Sequence, residues 1–258
     1  MSAVLLVAHH ERADAGTLAR SVADRLRGQG HEAVMTLADA EAIGALELAS
    51  ARDPRTVDLA LCIGGDGTVL RTVQLLHGAP VPIIGVNVGL LGYLTEVEPP
   101  AVDAALTRWF AGSGEGGWSI DERMMLEVSV VRAGSDSTTW QALNEAVVEK
   151  LESGHTVRLQ VAIDGADFTS YAADGLILAT PTGSTAYSLS ARGPVLSPRM
   201  RAMLLTPVSP HMLFDRSLVL DAAETVQVRP STHTARFVRF GERRFHQILK
   251  AKFGLTDR

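Results

Sequence analysis

The sequence has one cysteine, no long apolar span and no excess of positive charge, and each absence excludes a class of protein. Cys62 is the single cysteine among 258 residues, so a disulfide within the chain is impossible. Because Cys62 lies inside an apolar run, a reactive thiol is not expected there. No run of about 18 apolar residues occurs, and the start lacks the basic segment of a signal peptide. We therefore expect a soluble, cytoplasmic protein with no membrane partner.

The charge is slightly negative overall and unevenly distributed. The formal net charge is −5, which gives no reason to expect a nucleic-acid partner. Residues 229–258 carry +6, and the rest of the chain carries −11. Three interpretations of this basic end stay open: a solvated face, a subunit contact, or help in binding an anionic ligand.

Three common site motifs are also missing. The first apolar run is followed by A-H-H-E-R at residues 8–12 rather than by G-x-G-x-x-G, which argues against the usual cofactor mode of dehydrogenases. No G-x-S-x-G surrounds Ser184, which excludes the elbow of serine hydrolases. His9 and His10 have no Cys or His partner at ligand spacing, so we interpret them as ordinary loop residues and predict no protein-supplied metal site.

The first part of the chain alternates strand and helix patterns. Continuous apolar runs predict buried strands at residues 4–8, 33–35, 59–63 and 83–86. Helical spacing predicts helices in segments near residues 18–26, 38–50, 69–73 and 99–110. This alternation indicates a mostly parallel, doubly wound sheet, whose loops after the third and fourth strands could line one crevice.

A glycine-rich stretch at residues 112–117 breaks all periodicity and gives the best domain boundary. Beyond it, strands are expected at residues 124–131, 140–143, 157–163, 168–171, 176–180, 217–220 and 225–228. Asp164-Gly165 is a hairpin signal. The predicted domains are an α/β domain over residues 1–111, a β-rich domain over 118–240, and a terminal helix over 241–258 that packs back.

The stretch Gly64-Gly65-Asp66-Gly67-Thr68 joins a predicted strand to a predicted helix. Its glycines let backbone N–H groups approach an anion, and the helix start adds a partial positive charge, as in phosphate sites. A carboxylate would repel phosphate, so we interpret Asp66 either as a metal ligand or as the acceptor of a hydroxyl proton. The working hypothesis is a phosphotransferase, and the alternative is a surface turn rich in Gly and Asp.

Two stretches of the second half are richer in polar groups than structure requires. Asn144-Glu145 ends a predicted strand and could hydrogen-bond a ribose diol or a base edge, or be a polar strand end. Residues 180–190 contain seven hydroxyl side chains among eleven. Within them Thr185 could begin a short helix whose N–H groups face a ligand, and Tyr187 offers a ring to a base or nicotinamide.

Together these residues resemble the NAD kinase family from about residue 57 onward. The matching segments are residues 64–68, 85–87, 89, 92–93, 144–145, 174–177, 180–190, 193–194, 205–211 and 252–255. The G-G-D-G-T turn is shared with lipid kinases, so the specificity comes from the Asn-Glu pair and the T-P-T-G-S-T-A-Y-S-L-S run.

The resemblance implies transfer of the γ-phosphoryl of ATP to the 2′-hydroxyl of the adenosine ribose of NAD. It implies a divalent ion, Mg²⁺ or similar, carried by the nucleotide, and a homo-oligomer, dimer or tetramer. Asp66 would be the proton acceptor, and Gly64, Gly65, Gly67 and Thr68 would bind phosphate. The implied NAD-binding residues are Asp66, Gly67, Arg71, Tyr93, Asn144, Glu145, His155, Asp174, Thr182, Thr185, Ala186, Tyr187, Ser188, Leu189 and Ser190.

Three positions depart from the family pattern. Arg192 stands where the family commonly has glycine, Leu90 where many members have a basic residue, and Ala172 where relatives often have arginine. Two rival functions remain. A lipid or other small-molecule kinase would share the glycine turn but would not need Asn144-Glu145 or residues 180–190. A non-catalytic dinucleotide sensor could dispense with Asp66.

Overall fold

The computed structural model describes residues 1–89, 92–131, 136–151 and 155–230, which form an α/β half followed by a β-rich half. The strands of the first half are β1 (Ala3–Ala8), β2 (Glu32–Val34), β3 (Leu59–Gly64) and β4 (Ile83–Asn87). Its helices are α1 (Ala13–Gly28), α2 (Leu37–Ala42), α3 (Asp66–Leu76), α4 (Val102–Phe110) and α5 (Gly112–Gly116). Single 3-10 turns span Leu46–Leu48, Pro54–Thr56 and Pro99–Ala101.

The first-half sheet is parallel, in the order β2-β1-β3-β4. Strands β1 and β3 are buried at every position, as their continuous apolar runs require. Along β1, Val4 and Leu6 pack on the side of α1 and α4, whereas Leu5 and Val7 pack with Leu76 of α3. Helices therefore cover both faces of the sheet, which confirms the doubly wound α/β fold.

The second half contains nine strands and a short helix among the residues described. They are β5 (Leu126–Val130), β6 (Thr138–Ala142), β7 (Glu145–Glu149), β8 (Val157–Ile163), β9 (Ala166–Ala173), β10 (Gly175–Ala179), α6 (Tyr187–Ser190), β11 (Ala202–Val208), β12 (Leu218–Asp221) and β13 (Val226–Pro230). All pairings are antiparallel, in the sheets β12-β11-β10-β7, β13-β8-β9 and β5-β6. The predicted β-rich character is confirmed.

Strand β10 lies between two cores. Leu176 packs with Leu159 and Tyr171 of the β13-β8-β9 sheet, and the next residue, Ile177, packs with Leu204 on the opposite face. The core around Leu176 thus lies between the β12-β11-β10-β7 sheet and the β13-β8-β9 sheet, as in a β-sandwich. The turn Asp164-Gly165 between β8 and β9 has φ values of 49° and 79°, the left-handed hairpin turn that the D-G pair predicted.

Residues 112–117, which show no apolar periodicity in the sequence, nevertheless begin with the helical turn α5. The Arg108 side chain donates to the carbonyl oxygens of Gly116 and Gly117, both at 2.6 Å. Trp118 stacks on Trp109 with ring centroids 4.4 Å apart. These contacts order the glycine-rich segment, and no periodicity could reveal them.

Several element boundaries also differ from prediction. The helix expected over residues 38–50 ends at Ala42, since Gly44 takes a φ of 64° that a helix cannot continue through. Strands β7 and β11 were not predicted from the sequence. Pro207 in β11 argues against a central strand, but β11 pairs with β12 only from Ala202 to Leu205. Beyond Leu205 it has one partner strand among the described residues, so a proline is tolerated.

Two further expectations concern the C-terminal segment and the membrane. The terminal helix expected over residues 241–258 lies outside the described residues. No helix within the described ranges is long and apolar enough to cross a membrane.

Candidate active site

The glycine turn lies between β3, which ends at Gly64, and α3, which begins at Asp66. A Cβ on Gly64 would overlap the Thr68 hydroxyl and lie 2.7 Å from its Cβ, so only glycine lets strand and helix meet this closely. The first-turn N–H groups of Asp66 and Gly67 have no acceptor within the helix. A Cβ on Gly65 or Gly67 would meet nothing within 4 Å among the described residues. The turn therefore combines main-chain donors that the helix leaves unsatisfied with room beside its glycines.

A cavity of about 370 Å³ faces this turn beyond the carboxyl ends of β1 and β3. Open α/β sheets bind ligands at this edge. The lining residues are His9, His10, Glu11, Gly65, Gly67, Thr68 and Arg71. The two histidines, interpreted from sequence as ordinary loop residues, thus stand at the predicted phosphate site.

The Asp66 carboxylate is fixed by the loop that follows β4. The backbone N–H groups of Tyr93 and Leu94 donate to its two oxygens, at 3.0 and 2.9 Å. A Cβ on Gly92 would overlap Asp66 Oδ1, so glycine is required for this approach. Each carboxylate oxygen keeps a further lone pair that can accept a proton or contact an ion. The loops after β3 and β4 thus meet at Asp66, whereas the prediction that they line one crevice stays a prediction.

Asn144 lies in the turn between β6 and β7, and Glu145 is the first residue of β7 rather than the end of a strand, which corrects the prediction. Thr180 fixes this turn from the neighbouring loop. Its N–H donates to the Asn144 carbonyl at 2.8 Å, and its hydroxyl donates to the Leu143 carbonyl at 2.6 Å. A Cβ on Gly183 would overlap the Asn144 carbonyl oxygen, so residues 180–183 pack directly on Asn144.

Two polar atoms near this turn lack partners in the part of the chain that the structure describes. They are Glu145 Oε2 and Thr182 Oγ1, and both are buried. Burial raises the pKa of Glu145, and a hydrogen bond from the Tyr187 backbone lowers it in part. Leaving a buried polar atom without a partner costs about 1–3 kcal/mol. A hydroxyl-bearing ligand would satisfy both atoms.

Residues 183–190 form two short turns rather than one helix beginning at Thr185, which corrects the prediction. A 3-10 turn spans Gly183–Thr185, and α6 follows after Ala186. Ser188 is fully buried, and its hydroxyl lies 3.0 Å from that of Thr206. Tyr187, Leu189 and Ser190 are exposed. Ser188 therefore anchors the segment inward while its neighbours face outward.

Asp174 has a charged partner that the sequence analysis missed. Lys150 Nζ donates to its Oδ1 at 2.7 Å, and the Lys150 N–H donates to the Asp174 carbonyl at 3.0 Å. The pairing of β7 with β10 sets Glu149 opposite Gly175 and so brings the adjacent residues Lys150 and Asp174 together. Both side chains are about a quarter to a third exposed.

The predicted site residues form two groups, one around Asp66 and one around Glu145. The halves of the chain touch where Gln141 lies beside Gly78: a Cβ there would be 2.8 Å from Gln141 Oε1. The side chain of Tyr93 is 74% exposed, so its ring is free to stack on a ligand. His155 is exposed just before β8, and no hydrogen bond among the described residues joins it to either group.

Arg71 is bound inside its own half. Its guanidinium donates to the Ala8 carbonyl at 2.6 Å and pairs with Asp39 at 2.9 Å. Asp39, on α2, is nearly fully buried and was missed, because nothing in the local sequence distinguishes it from a surface carboxylate.

The departures from the family pattern have different structural meanings. Arg192 has a φ of 66°, a left-handed conformation that favours glycine, which accounts for the residue common there. The Ala172 carbonyl accepts the His211 N–H at 2.7 Å, a main-chain contact indifferent to the side chain. Leu90 lies outside the described residues.

Comparison with known proteins assigns both halves to one family. The model of the ATP-NAD kinase N-terminal domain matches residues 4–113, and that of the ATP-NAD kinase C-terminal domain matches residues 143–246. The NAD kinase of Heliobacterium modesticaldum is 40% identical, over 77% of this chain and 79% of its own length. That of Symbiobacterium thermophilum is 36% identical, over 97% and 98%.

Solved structures show the same likeness. The yeast NADH kinase complexed with NADH superimposes with a TM-score of 0.79 at 26% identity, covering 90% of this chain and 73% of that one. An NAD kinase from Archaeoglobus fulgidus in complex with ATP gives 0.64 at 24% identity, over 88% and 80%, which shows a shared fold. Sequence motifs, family models and fold agree, and the chain belongs to the NAD kinase family.

Proposed function

We propose that the chain is an NAD kinase that moves the γ-phosphoryl group of ATP to the 2′-hydroxyl of the adenosine ribose of NAD, producing NADP and ADP. The observation that carries this proposal is the Asp66 carboxylate. It is held by two main-chain N–H groups at the start of α3, beside a glycine turn that faces an open cavity. Family membership and relatives named NAD kinase supply the substrates.

The donor's phosphates would lie against the glycine turn. Gly65 and Gly67 leave room for them, and the first-turn N–H groups of α3 have no acceptor within the helix and would be available to phosphate oxygens. Gly64 and Thr68 act together, since the missing side chain of one accommodates the hydroxyl of the other. Phosphoryl transfer depends on such positioning and charge stabilisation more than on covalent chemistry.

Asp66 would accept the proton of the ribose hydroxyl. The 2′-oxygen forms a bond to the γ-phosphorus, the bond from that phosphorus to the bridging oxygen of ADP breaks, and the hydroxyl proton passes to the carboxylate. The two backbone N–H groups aim the carboxylate without consuming its remaining lone pairs. General-base assistance of this kind contributes about 10²–10⁴-fold.

The NAD site would be built from the second half and from Tyr93. Glu145 and Asn144 would bind the ribose hydroxyls, since Glu145 Oε2 is buried without a partner. Asp174, oriented by Lys150, would lie near the nicotinamide end. The remaining proposed contacts are Gly67, His155, Thr182, Thr185, Ala186, Tyr187, Leu189 and Ser190, with Ser188 supporting them from its buried bond to Thr206.

A divalent ion, Mg²⁺ in the simplest case, would enter with the phosphates of ATP. Asp66 would be the protein's oxygen contact to such an ion, because each of its oxygens has a lone pair beyond its backbone bond, and the phosphates would supply further oxygen ligands. When bound, the ion would neutralise charge that develops on the transferring group. We also propose a homo-oligomeric, cytoplasmic enzyme on the strength of the family resemblance, with light scattering as the test of assembly.

The test is incubation with NAD, ATP and Mg²⁺, with product followed by an NADP-specific dehydrogenase. We expect NADP formation that depends on both substrates. The Asp66→Asn variant should still bind NAD but lose most turnover. A wild-type protein that binds NAD yet makes no NADP with any phosphate donor would instead be the dinucleotide sensor. Phosphorylation of a lipid in preference to NAD would support the other rival.

A further inference from the structure

One carboxylate oxygen of Asp39 contacts two side chains, the imidazole of His10 and the guanidinium of Arg71. His10 Nε2 lies 2.7 Å and the Arg71 guanidinium 2.9 Å from Asp39 Oδ1. The other oxygen, Oδ2, accepts the Thr36 hydroxyl at 2.7 Å. The carboxylate side chain is only 4% exposed, whereas that of His10 is 39% exposed. A buried anion thus supports two groups that reach toward solvent.

The same two groups face the glycine turn. His10 and Arg71 line the 370 Å³ cavity together with Gly65, Gly67 and Thr68. Glu11 is the anionic residue of that lining. A ligand in the cavity therefore meets a permanent guanidinium charge, an imidazole and the main-chain donors of α3, which is the chemistry of a polyphosphate site.

Arg71 is placed as a ligand-binding arginine rather than as a surface ion pair. Asp39 and the Ala8 carbonyl hold the same guanidinium nitrogen, Nη2, at 2.9 and 2.6 Å. Its Nε is buried and has no hydrogen-bond partner within the described residues. A guanidinium fixed at one nitrogen keeps its remaining donors in a set geometry, which favours bidentate binding of phosphate oxygens.

We propose that His10 and Arg71 bind the phosphates of the donor nucleotide, and that Asp39 is the positioning residue that orients both. The inference rests on the proposed function and extends the donor site from the glycine turn to the loop after β1. It also moves Arg71 from the NAD side, where the family resemblance placed it, to the donor side. The chemistry recognised is a chain of phosphate groups, not the base.

Steady-state kinetics of His10→Gln and Arg71→Lys test the proposal. Nε2 of His10 donates to Asp39, so the group that would bind phosphate is the Nδ1–H of the imidazolium form, and His10→Gln removes that charged donor. Arg71→Lys keeps the charge but removes the guanidinium fork. The KM for ATP should rise about tenfold or more in each variant. The KM for NAD should change much less, within about twofold, because most of the proposed NAD contacts lie in the second half of the chain and neither His10 nor Arg71 is among them. The inhibition constant of inorganic tripolyphosphate, measured as a competitor of ATP, should rise by the same factor as the KM for ATP.

Asp39→Asn tests the positioning role. It should raise the KM for ATP, and adding His10→Gln to it should cost less than the two single effects combined, because Asp39 acts partly through His10. Glu32→Gln is the matched control. Glu32 pairs with Arg52 at 2.7 Å and is the first residue of β2, so it lies at the amino ends of the parallel strands, whereas the cavity lies beyond their carboxyl ends. Its kinetics should equal those of the wild type.

An unchanged KM for ATP in both His10→Gln and Arg71→Lys would overturn the proposal. So would equal rises in the KM for ATP and for NAD, or a rise for ATP with no effect on tripolyphosphate. If the wild type forms no NADP, the proposed function fails by itself. Calorimetric binding of ATP and tripolyphosphate to the same variants then decides this inference separately, with weaker binding of both supporting it and unchanged binding refuting it.

Discussion

Replacing Gly92 with alanine should disable Asp66 without touching it. A Cβ at Gly92 would overlap Asp66 Oδ1, lie 3.0 Å from its Cγ, and lie 3.2 Å from Thr95 Oγ1. Gly92 is not among the glycines with positive φ, so alanine can take its backbone conformation. The perturbation is therefore a local displacement of one carboxylate.

The size of the effect follows from the geometry. To restore ordinary contact distances the carboxylate must move by roughly 1 Å, or the 92–94 loop must move away from it. Either motion lengthens the bonds from Tyr93 N and Leu94 N, now 3.0 and 2.9 Å. A misplacement of about 1 Å in a reacting group costs on the order of 10²-fold in rate. Overpacking at such a contact costs about 1–3 kcal/mol of stability.

The assay is NADP formation, with kcat and both KM values measured for Gly92→Ala, Asp66→Asn and the double variant. We expect Gly92→Ala to lower kcat by about 10²-fold and Asp66→Asn by about 10²–10⁴-fold. The double variant should match Asp66→Asn within a few-fold, because the same carboxylate is lost in both. Gly28→Ala is the control, because a Cβ at Gly28 would meet nothing within 4 Å in the part of the chain that the structure describes, and the kcat of this variant should not change.

Two results would refute this reasoning. One is a Gly92→Ala enzyme with wild-type kcat, which would mean that the position of the carboxylate does not matter. The other is a double variant whose loss equals the product of the single losses. That result would show that Gly92 affects turnover independently of Asp66.

Three further predictions come from the pKa shifts and backbone angles. Burial raises the pKa of Glu145, so NAD affinity should fall on acidification at a higher pH than an ordinary glutamate would give, and NAD titrations of Glu145→Gln should show no such step. Because the pKa of Glu145 is higher in the folded than in the unfolded protein, the folded state is favoured at low pH, and this advantage is lost as the pH rises through the raised pKa. Above that pH, Glu145→Gln should be more stable than the wild type in urea melts. Burial raises the pKa of the Cys62 thiol to about 12, so a thiol reagent at pH 8 should label it only in denaturant, and rapid native labelling would contradict this. Arg192→Gly should relieve a left-handed φ of 66° and change the free energy of unfolding by at most about 1 kcal/mol in the stabilising direction, without lowering activity.

Local features could be predicted from sequence because their physics is local. The glycine turn followed from an apolar strand, closely spaced glycines and a helix start, and β3, the turn and α3 lie where expected. The hairpin at Asp164-Gly165 followed from the positive φ that this pair tolerates. The parallel sheet followed from the alternation of strand and helix patterns.

The remaining site features depend on contacts between distant segments. Asp39 becomes a candidate site residue because α2 lies beside the loop after β1 and beside α3, and its own neighbours in sequence give no sign of this. Lys150 meets Asp174 through the register of two strands, one of which the sequence analysis did not predict. The order of residues 112–116 depends likewise on the Arg108 side chain folding over them.

The proposed proton acceptor and the proposed donor-phosphate site are held by different kinds of contact, which should make them separable by mutation. Asp66 is oriented by main-chain N–H groups, so a change in the 92–94 backbone or in Asp66 itself should misplace it. His10 and Arg71 are oriented by a side chain, Asp39, and can be altered one at a time. Changes around Asp66 should therefore appear in kcat, because they affect the proton transfer that accompanies phosphoryl transfer. Changes around Asp39 should appear in the KM for the donor, because they weaken its binding before the reaction begins.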